Sequence, residues 1–597
     1  DKNYLILPFD AVKGVKSLTV QLNEREGNGF RVSASEMAFY KSDSLPDDIL
    51  ALFTDETLTE IRTGVSEGDI TALEERLTEK ESFFLDVDLL RQELELAKKL
   101  LADPSALGLV KNDFQSRSGR ADSTYGQSAS DLQPLGISAE AGSTVAIYAQ
   151  LPEGETVSIV PTQYYGESGI WRGSSVQLRN GRNYIDIPKI GSLTDPRGGP
   201  LYVTYSGEHP EQIKLHVLPS SDGEEIPVLE LSNWYGMDET AQRAAISAYV
   251  TALEAHVAKN GTNPETNVFN TTEISTPSVL LSLPANKILD GLGTDNKVET
   301  MYQNILAWEE TLFVANKVQG IIDSTAKFDG YRYPMQTRQN IRYMRMFAGA
   351  FMYAAGNHIG IGYGSASALA QGRPTSKENP MLFGWGIAHE IGHNMDKLGK
   401  AEITNNIYSL AIQAWDGHGM EKLTRLTNSN IWQKVFDKVS AGRPGAAGNV
   451  FVQLGMYWQL HLAYDDKDNP LEFFNSFFKA WKDKTVCSNF SGDDRFAVIA
   501  AQTAEHDLTS FFEHWGLTLS DAAKTEIQKL AEEPRAILYL NDESWISGGD
   551  GTGTTTTVDA KVDDSKVTLT INNDASGTIQ GYEVSRNGTP IGFTTTN

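Results

Sequence analysis

The reading turns on residues 385–402, Trp385-Gly386-Ile387-Ala388-His389-Glu390-Ile391-Gly392-His393-Asn394-Met395-Asp396-Lys397-Leu398-Gly399-Lys400-Ala401-Glu402. His389-Glu390-Ile391-Gly392-His393 is an H-E-x-x-H motif. On a helix, positions i and i+4 share a face, so both imidazoles can point at one metal ion, with Glu390 beside them as a base. The apolar lead-in, Leu382, Phe383, Trp385, Ile387 and Ala388, predicts a buried helix. Two buried histidines and a glutamate would be costly there without a metal or partners. A tetrahedral zinc needs a further protein ligand and keeps one position open. Glu402 is the candidate. Nine residues past His393, a continuous helix would aim it away, so the chain must bend, and Gly399 offers the place.

Working outward, composition limits the alternatives. The chain has 597 residues, one cysteine (Cys487) and a net charge of −27. That length predicts several domains with a large core. The charge argues against nucleic acid or anionic membranes as partners and favours a neutral or basic ligand. With one cysteine no intrachain disulfide can form. No stretch is long and apolar enough to predict a membrane span. The chain opens Asp1-Lys2-Asn3, as a mature fragment does, so a missing leader carries no information on export.

Residues 1–42 read as strands, the C-terminal remnant of a discoidin-like β-sandwich. Residues 43–124 read as a helical spacer and linker, with helical spacing near 45–53, 56–63, 67–79 and 86–102, and with Asp69 and Ser82 as N-cap candidates. Residues 125–222 alternate as short strands (144–149, 156–160, 184–187, 201–205, 213–217), which predicts a β-sandwich. Trp171 and Tyr164-Tyr165 could stack on sugars there, although such aromatics are more often core. Residues 223–545 hold the motif and read as mostly helical, including 238–258, 298–319, 336–346 and 471–481. Residues 558–597 alternate again around an Asn587-Gly588 turn, as the start of a fibronectin-type-III-like module.

Upstream of the motif, His358-Ile359-Gly360-Ile361-Gly362-Tyr363-Gly364 alternates glycine with apolar residues. As an edge strand it would present a bare backbone face to an extended peptide, with clearance for something bulky. Gly360, Gly362 and Tyr363 are therefore substrate-binding candidates; a ligand-free glycine turn is the alternative.

Residues 386–410, with "GWGIAHEIGHNMD" and "AEITNNIYSL", resemble the enhancin-like zinc metallopeptidases, the family of viral enhancins and mucin-degrading bacterial proteases. "MYWQLHLAY" (456–464), "DLTSFFEHWGL" (507–517) and "GGPLYVTYSG" (198–207) are similar to other segments of that family, and the resemblance spans about residues 133–540. It implies a mainly α (α+β) gluzincin-type catalytic domain behind β-sandwich accessory domains. The ligand set would be His389, His393 and Glu402 around Zn2+, with Glu390 as general base. It also implies a secreted or cell-surface endopeptidase acting on O-glycosylated, mucin-like proteins beside a glycosylated Ser or Thr. The β-sandwich modules are candidates for glycan binding. Tyr408, Tyr457 and His461 are the candidate oxyanion donors. Two other readings compete: a glycan-independent metalloendopeptidase, and a non-catalytic carbohydrate-binding adhesin, against which the intact ligand set argues.

Overall fold

The computed structural model describes residues 43–595 apart from 85–86, 118–129, 191–196, 219–221, 329–337, 348, 372–381, 416–419, 442–446, 555, 574–578 and 588. The discoidin-like expectation for 1–42 lies outside the described residues.

The described residues begin with a small helical unit, Leu45–Leu50, Glu67–Glu79 and Val87–Ala102. Ser66 is the N-cap of the second helix and shares a capping box with Asp69, which is therefore the third helical residue and not the cap expected. Residues 56–63 are not helical; Phe53 and Ile61 form an isolated bridge and Leu58 is left-handed. Not every charge in this unit is solvated. Glu93 is fully buried and takes a bidentate pair from Arg182 of the adjoining sandwich.

The sandwich packs a four-stranded sheet on a five-stranded one. It starts earlier than expected, at Leu109–Lys111, which pairs with Lys214–Val217. Its interior is apolar from both sheets, including Leu135, Ile137, Ile147, Ile159, Val203 and Leu215.

The next region, expected to be mostly helical, is built on a six-stranded mixed sheet. Its strands are β1 (Val228–Glu230), β2 (Thr272–Ser275), β3 (Val279–Leu283), β4 (Gln339–Tyr343), β5 (Met352–Ala354) and β6 (Ile359–Ile361), in the order β1-β2-β3-β4-β6-β5. Residues 336–346, expected to be helical, supply β4. All five residues of that strand are buried, and a fully buried strand has no alternation to betray it. The main helices are α1 (Glu239–Asn260), α2 (Lys297–Val318), α3 (Gly386–Met395), α4 (Asn406–Trp415), α5 (Val450–Tyr464) and α6 (Glu472–Lys482). Asp238 caps α1 by accepting the Ala241 N–H, as the sequence suggests. Past residue 555, two β-hairpins follow; Phe593 of the second stacks on Tyr539 with ring centres 4.1 Å apart, which fastens it to the helical layer.

The glycine strand is β6, and it lies between β4 and β5, not at the edge. The bare face at Gly360 is filled: a Cβ there would lie 2.2 Å from the Tyr353 ring. A Cβ on Gly362 would meet Met346 at 3.1 Å, and Tyr363 belongs to the short helix Tyr363–Ala366, where its hydroxyl accepts from Asn286. The edge strand on that side of the sheet is β5.

The sandwich is bonded to this sheet. The Arg345 N–H donates to Gly166 O, and the Tyr164 hydroxyl to Asn270 O. Arg342 lies over the Trp171 ring at 4.5 Å and donates to the Tyr202 hydroxyl, which bonds buried Glu273. Tyr165 stacks on Tyr343 with ring centres 4.8 Å apart. Trp171 and Tyr164 are thus interface core and not a sugar platform; Trp171 is 2% exposed.

Burial pushes the Glu273 carboxyl up to about 7, although Tyr202, Arg342 and Ser282 pull it down. The folded chain therefore holds this proton where the unfolded chain has released it. Stability falls as pH rises from about 4.5 through about 7. Glu273→Gln is expected to flatten the decline in Tm between about pH 5 and 8, measured by thermal melts of both proteins across that range.

Candidate metal centre

Helix α3 carries the motif with one face toward the core. Ile387, Ala388, Ile391 and Met395 are fully buried, while His389 and His393 are partly exposed. The helix ends at Met395, and Asp396 shapes the turn that follows. It accepts the N–H groups of Leu398 and Gly399 and the Thr404 hydroxyl. Gly399 takes φ +75°, so the expected bend is there. Glu402 is itself left-handed at φ +65°, a conformation that costs a non-glycine residue energy and persists only where surroundings enforce it.

The enforcing group is Asn406, the first residue of α4. Its Nδ2 donates to the Glu402 carbonyl at 2.9 Å. Its Oδ1 lies 2.7 Å from His389 Nδ1 and accepts that ring's proton, so Nε2 presents a lone pair. One side chain thus orients a histidine and the loop carrying the carboxylate. This requires α3 and α4 to touch, and Gly392 permits it: a Cβ there would lie 2.1 Å from the Asn405 carbonyl oxygen.

The result is a triangle of donors. The two histidine Nε2 atoms are 3.1 Å apart, and the Glu402 carboxylate oxygens lie 3.4 Å from His389 Nε2 and 3.2 Å from His393 Nε2. Ligands at zinc distances on a tetrahedron are separated by about 3.4 Å, so these residues fit such an ion without rearrangement. Among the described residues this is the one cluster of three with ligand spacing. The Glu402 side chain is 58% exposed, so the triangle opens to solvent on that side.

Glu390 is buried beside the triangle. Burial raises its carboxyl above the ordinary range and Glu402 adds to this, while His389 and the Ala354 N–H oppose it. Burial likewise holds His393 below its usual value, favouring the neutral ring that a metal requires. Ala354 belongs to β5, so the base touches the free edge of the sheet. Phe351 O and the Ala355 N–H bond across to the β6 side, which turns the polar groups of Met352 and Ala354 outward. Phe347 and Phe351, which the sequence reading did not single out, are 63% and 60% exposed beside this edge.

The oxyanion-donor expectation fares differently at each residue. Tyr408 is fully buried and its hydroxyl bonds Gln319, because α4 turns that face into the core. His461 is buried, pairs with Asp465 and packs against Trp458 and Trp545. Tyr457 is 3% exposed and bonds Lys400, bracing the 396–404 loop. All three are buried, and each is engaged by a neighbour outside the triangle. Asn406 went unnoticed although it lies in the quoted "ITNNIY"; its signal is a pair of asparagines opening an otherwise apolar helix.

Residues 292–516 match the family model described as peptidase M60, enhancin and enhancin-like. Over those residues the chain is similar to the enhancin-like M60 peptidases. It is similar to a Clostridium perfringens ZmpB structure of two CBM32 domains and the M60 catalytic domain, at 26% identity over 94% of this chain and a TM-score of 0.68. The chain spans 56% of the length of that structure. A ZmpB metallopeptidase from the same organism is 25% identical over 82% of this chain and 94% of its own, with a TM-score of 0.63. The M60 catalytic domain of C. perfringens ZmpC, solved in complex with the sialyl T antigen, shares the fold at 24% identity over 82% and 93% of the two chains, with a TM-score of 0.63. Among proteins of curated function, none matches the sequence. The family implies a metal. No helix among the described residues is long and apolar enough to cross a membrane.

Removing the Asn406 side chain should free both His389 and the Glu402 loop. Asn406→Ala is expected to weaken divalent-metal retention by about 10–100-fold, measured by chelator competition, with Tm of the metal-free protein compared to separate affinity from folding.

Proposed function

We propose that the chain is an exported zinc metalloendopeptidase that cuts O-glycosylated, mucin-like polypeptides beside a glycosylated Ser or Thr. The observation that carries this reading is the donor triangle of His389, His393 and Glu402 with the buried Glu390 carboxyl alongside. Zinc held by those three residues would supply Lewis acidity toward the scissile carbonyl and the attacking water.

The chain's own groups supply the rest. Glu390, beside the triangle, would take a proton from the attacking water and return it to the leaving amine. The outward polar groups of Met352 offer a peptide the hydrogen bonds of an added strand, next to the base. The exposed rings of Phe347 and Phe351 flank that path. The ZmpC domain's complex with the sialyl T antigen supports placing a glycan on the substrate, since the two chains share this fold. A mucin-type substrate lies outside the cell, and that is the basis for export.

The test is digestion of a defined O-glycopeptide and its unglycosylated twin by the zinc-loaded protein, read by mass spectrometry. Cleavage is expected next to the glycosylated residue only, falling by about 10²–10⁴-fold in Glu390→Gln. Equal cleavage of both peptides would establish a glycan-indifferent peptidase instead. An intact glycopeptide would overturn the reading.

A further inference from the structure

One cation near the metal centre has no counter-charge. Arg425 sits over two adjoining aromatic rings, its guanidinium carbon 4.7 Å from the Trp385 ring centre and 4.5 Å from that of Phe451. The rings meet edge to face at 5.6 Å, and all three side chains are partly exposed. Arg425 has no ion pair and no side-chain hydrogen bond among the described residues. Burial alone displaces its pKa, downward, with no carboxylate to counter it. In a chain with 78 acidic and 51 basic residues, a half-buried arginine left in this state stands apart. Arg76, Arg182, Arg243 and Arg535 all hold carboxylates.

Its position is fixed. The Arg425 N–H donates to Gln413 Oε1 at 2.7 Å, and neighbouring Thr424 is pinned by buried Asp542. Trp385, His389 and His393 are spaced i, i+4, i+8, so Trp385 lies toward the metal-facing side of the helix, about 6 Å along the axis from His389. Trp385 also flanks the N-terminal turn of α3, which no side chain caps, so the local field favours an anion. The rings attract the cation without accepting its N–H groups as a carboxylate would, and the guanidinium fork matches a carboxylate.

We propose that Arg425, seated on Trp385 and Phe451, is an anion subsite of the cleft that takes a carboxylate carried by the substrate. This rests on the peptidase reading for what enters the cleft. Two sources offer that chemistry: an acidic sugar on the glycan, or an Asp or Glu side chain of the peptide.

Binding is best read on zinc-loaded Glu390→Gln, which leaves ligands uncut, by calorimetry with two matched pairs. One pair is an O-glycopeptide with and without its acidic sugar; the other is the neutral glycopeptide with Glu or Gln beside the glycosylated residue. In one pair the acidic member is expected to bind at least about 10-fold tighter, and that pair names the source. Adding Arg425→Gln should reduce the preference to below about twofold, and Arg425→Lys should retain part of it. No preference in either pair would overturn the proposal. So would an Arg425→Gln loss that falls equally on acidic and neutral ligands with a lowered Tm, which marks a structural role. Cleavage of the neutral glycopeptide by wild type, run in parallel, reports on the peptidase reading separately.

Discussion

Two imidazole nitrogens and a carboxylate from two segments are held 3.1–3.4 Å apart, and the protein must keep them there before any ion shares the cost. Nothing intrinsic to His389, His393 or Glu402 does this. The arrangement depends on the close approach of α3 and α4 at Gly392, which puts Asn406 within reach of both the His389 ring and the Glu402 carbonyl. A left-handed glutamate is the visible cost of that constraint. Asp396, Thr404, Lys400 and Tyr457 spread the restraint along the intervening loop.

The sandwich contributes to the same end from the opposite side. Trp171 meets His358 edge to face at 5.2 Å, His358 Nε2 is 3.0 Å from the Tyr353 hydroxyl, and Tyr353 lies in the edge strand beside Glu390's partner Ala354. The aromatic and glycine positions that suggested ligand contact are used instead to dock one layer on another. Gly360 lacks a side chain because the Tyr353 ring occupies that space. A module preceding the catalytic region thereby shapes the strand that borders the base.

Electrostatics around the centre are uneven in a useful way. The chain is strongly acidic, yet the centre gathers a His393 imidazole with a lowered pKa, a Glu390 carboxyl with a raised one and, among the described residues, a guanidinium without an ion pair. Burial sets the first two; a lack of nearby carboxylates sets the last. A ligand approaching the centre meets a local field unlike that of the surface as a whole.

Spacing along the chain was enough to find the H-E-x-x-H helix, the bend at Gly399 and Glu402 as the third donor, because each follows from helical periodicity and glycine's freedom. It also marked the sandwich strands, whose alternation reflects one solvated face. The six-stranded sheet was not legible: buried strands such as Gln339–Tyr343 carry no period-two signal, and helix or strand is then decided by which neighbours supply hydrogen bonds. Which strand lies at the edge, that Tyr408 and His461 turn into the core, and that Asn406 serves two donors at once are likewise facts of packing. They depend on residues far apart in the chain, and no local pattern encodes the distance between them.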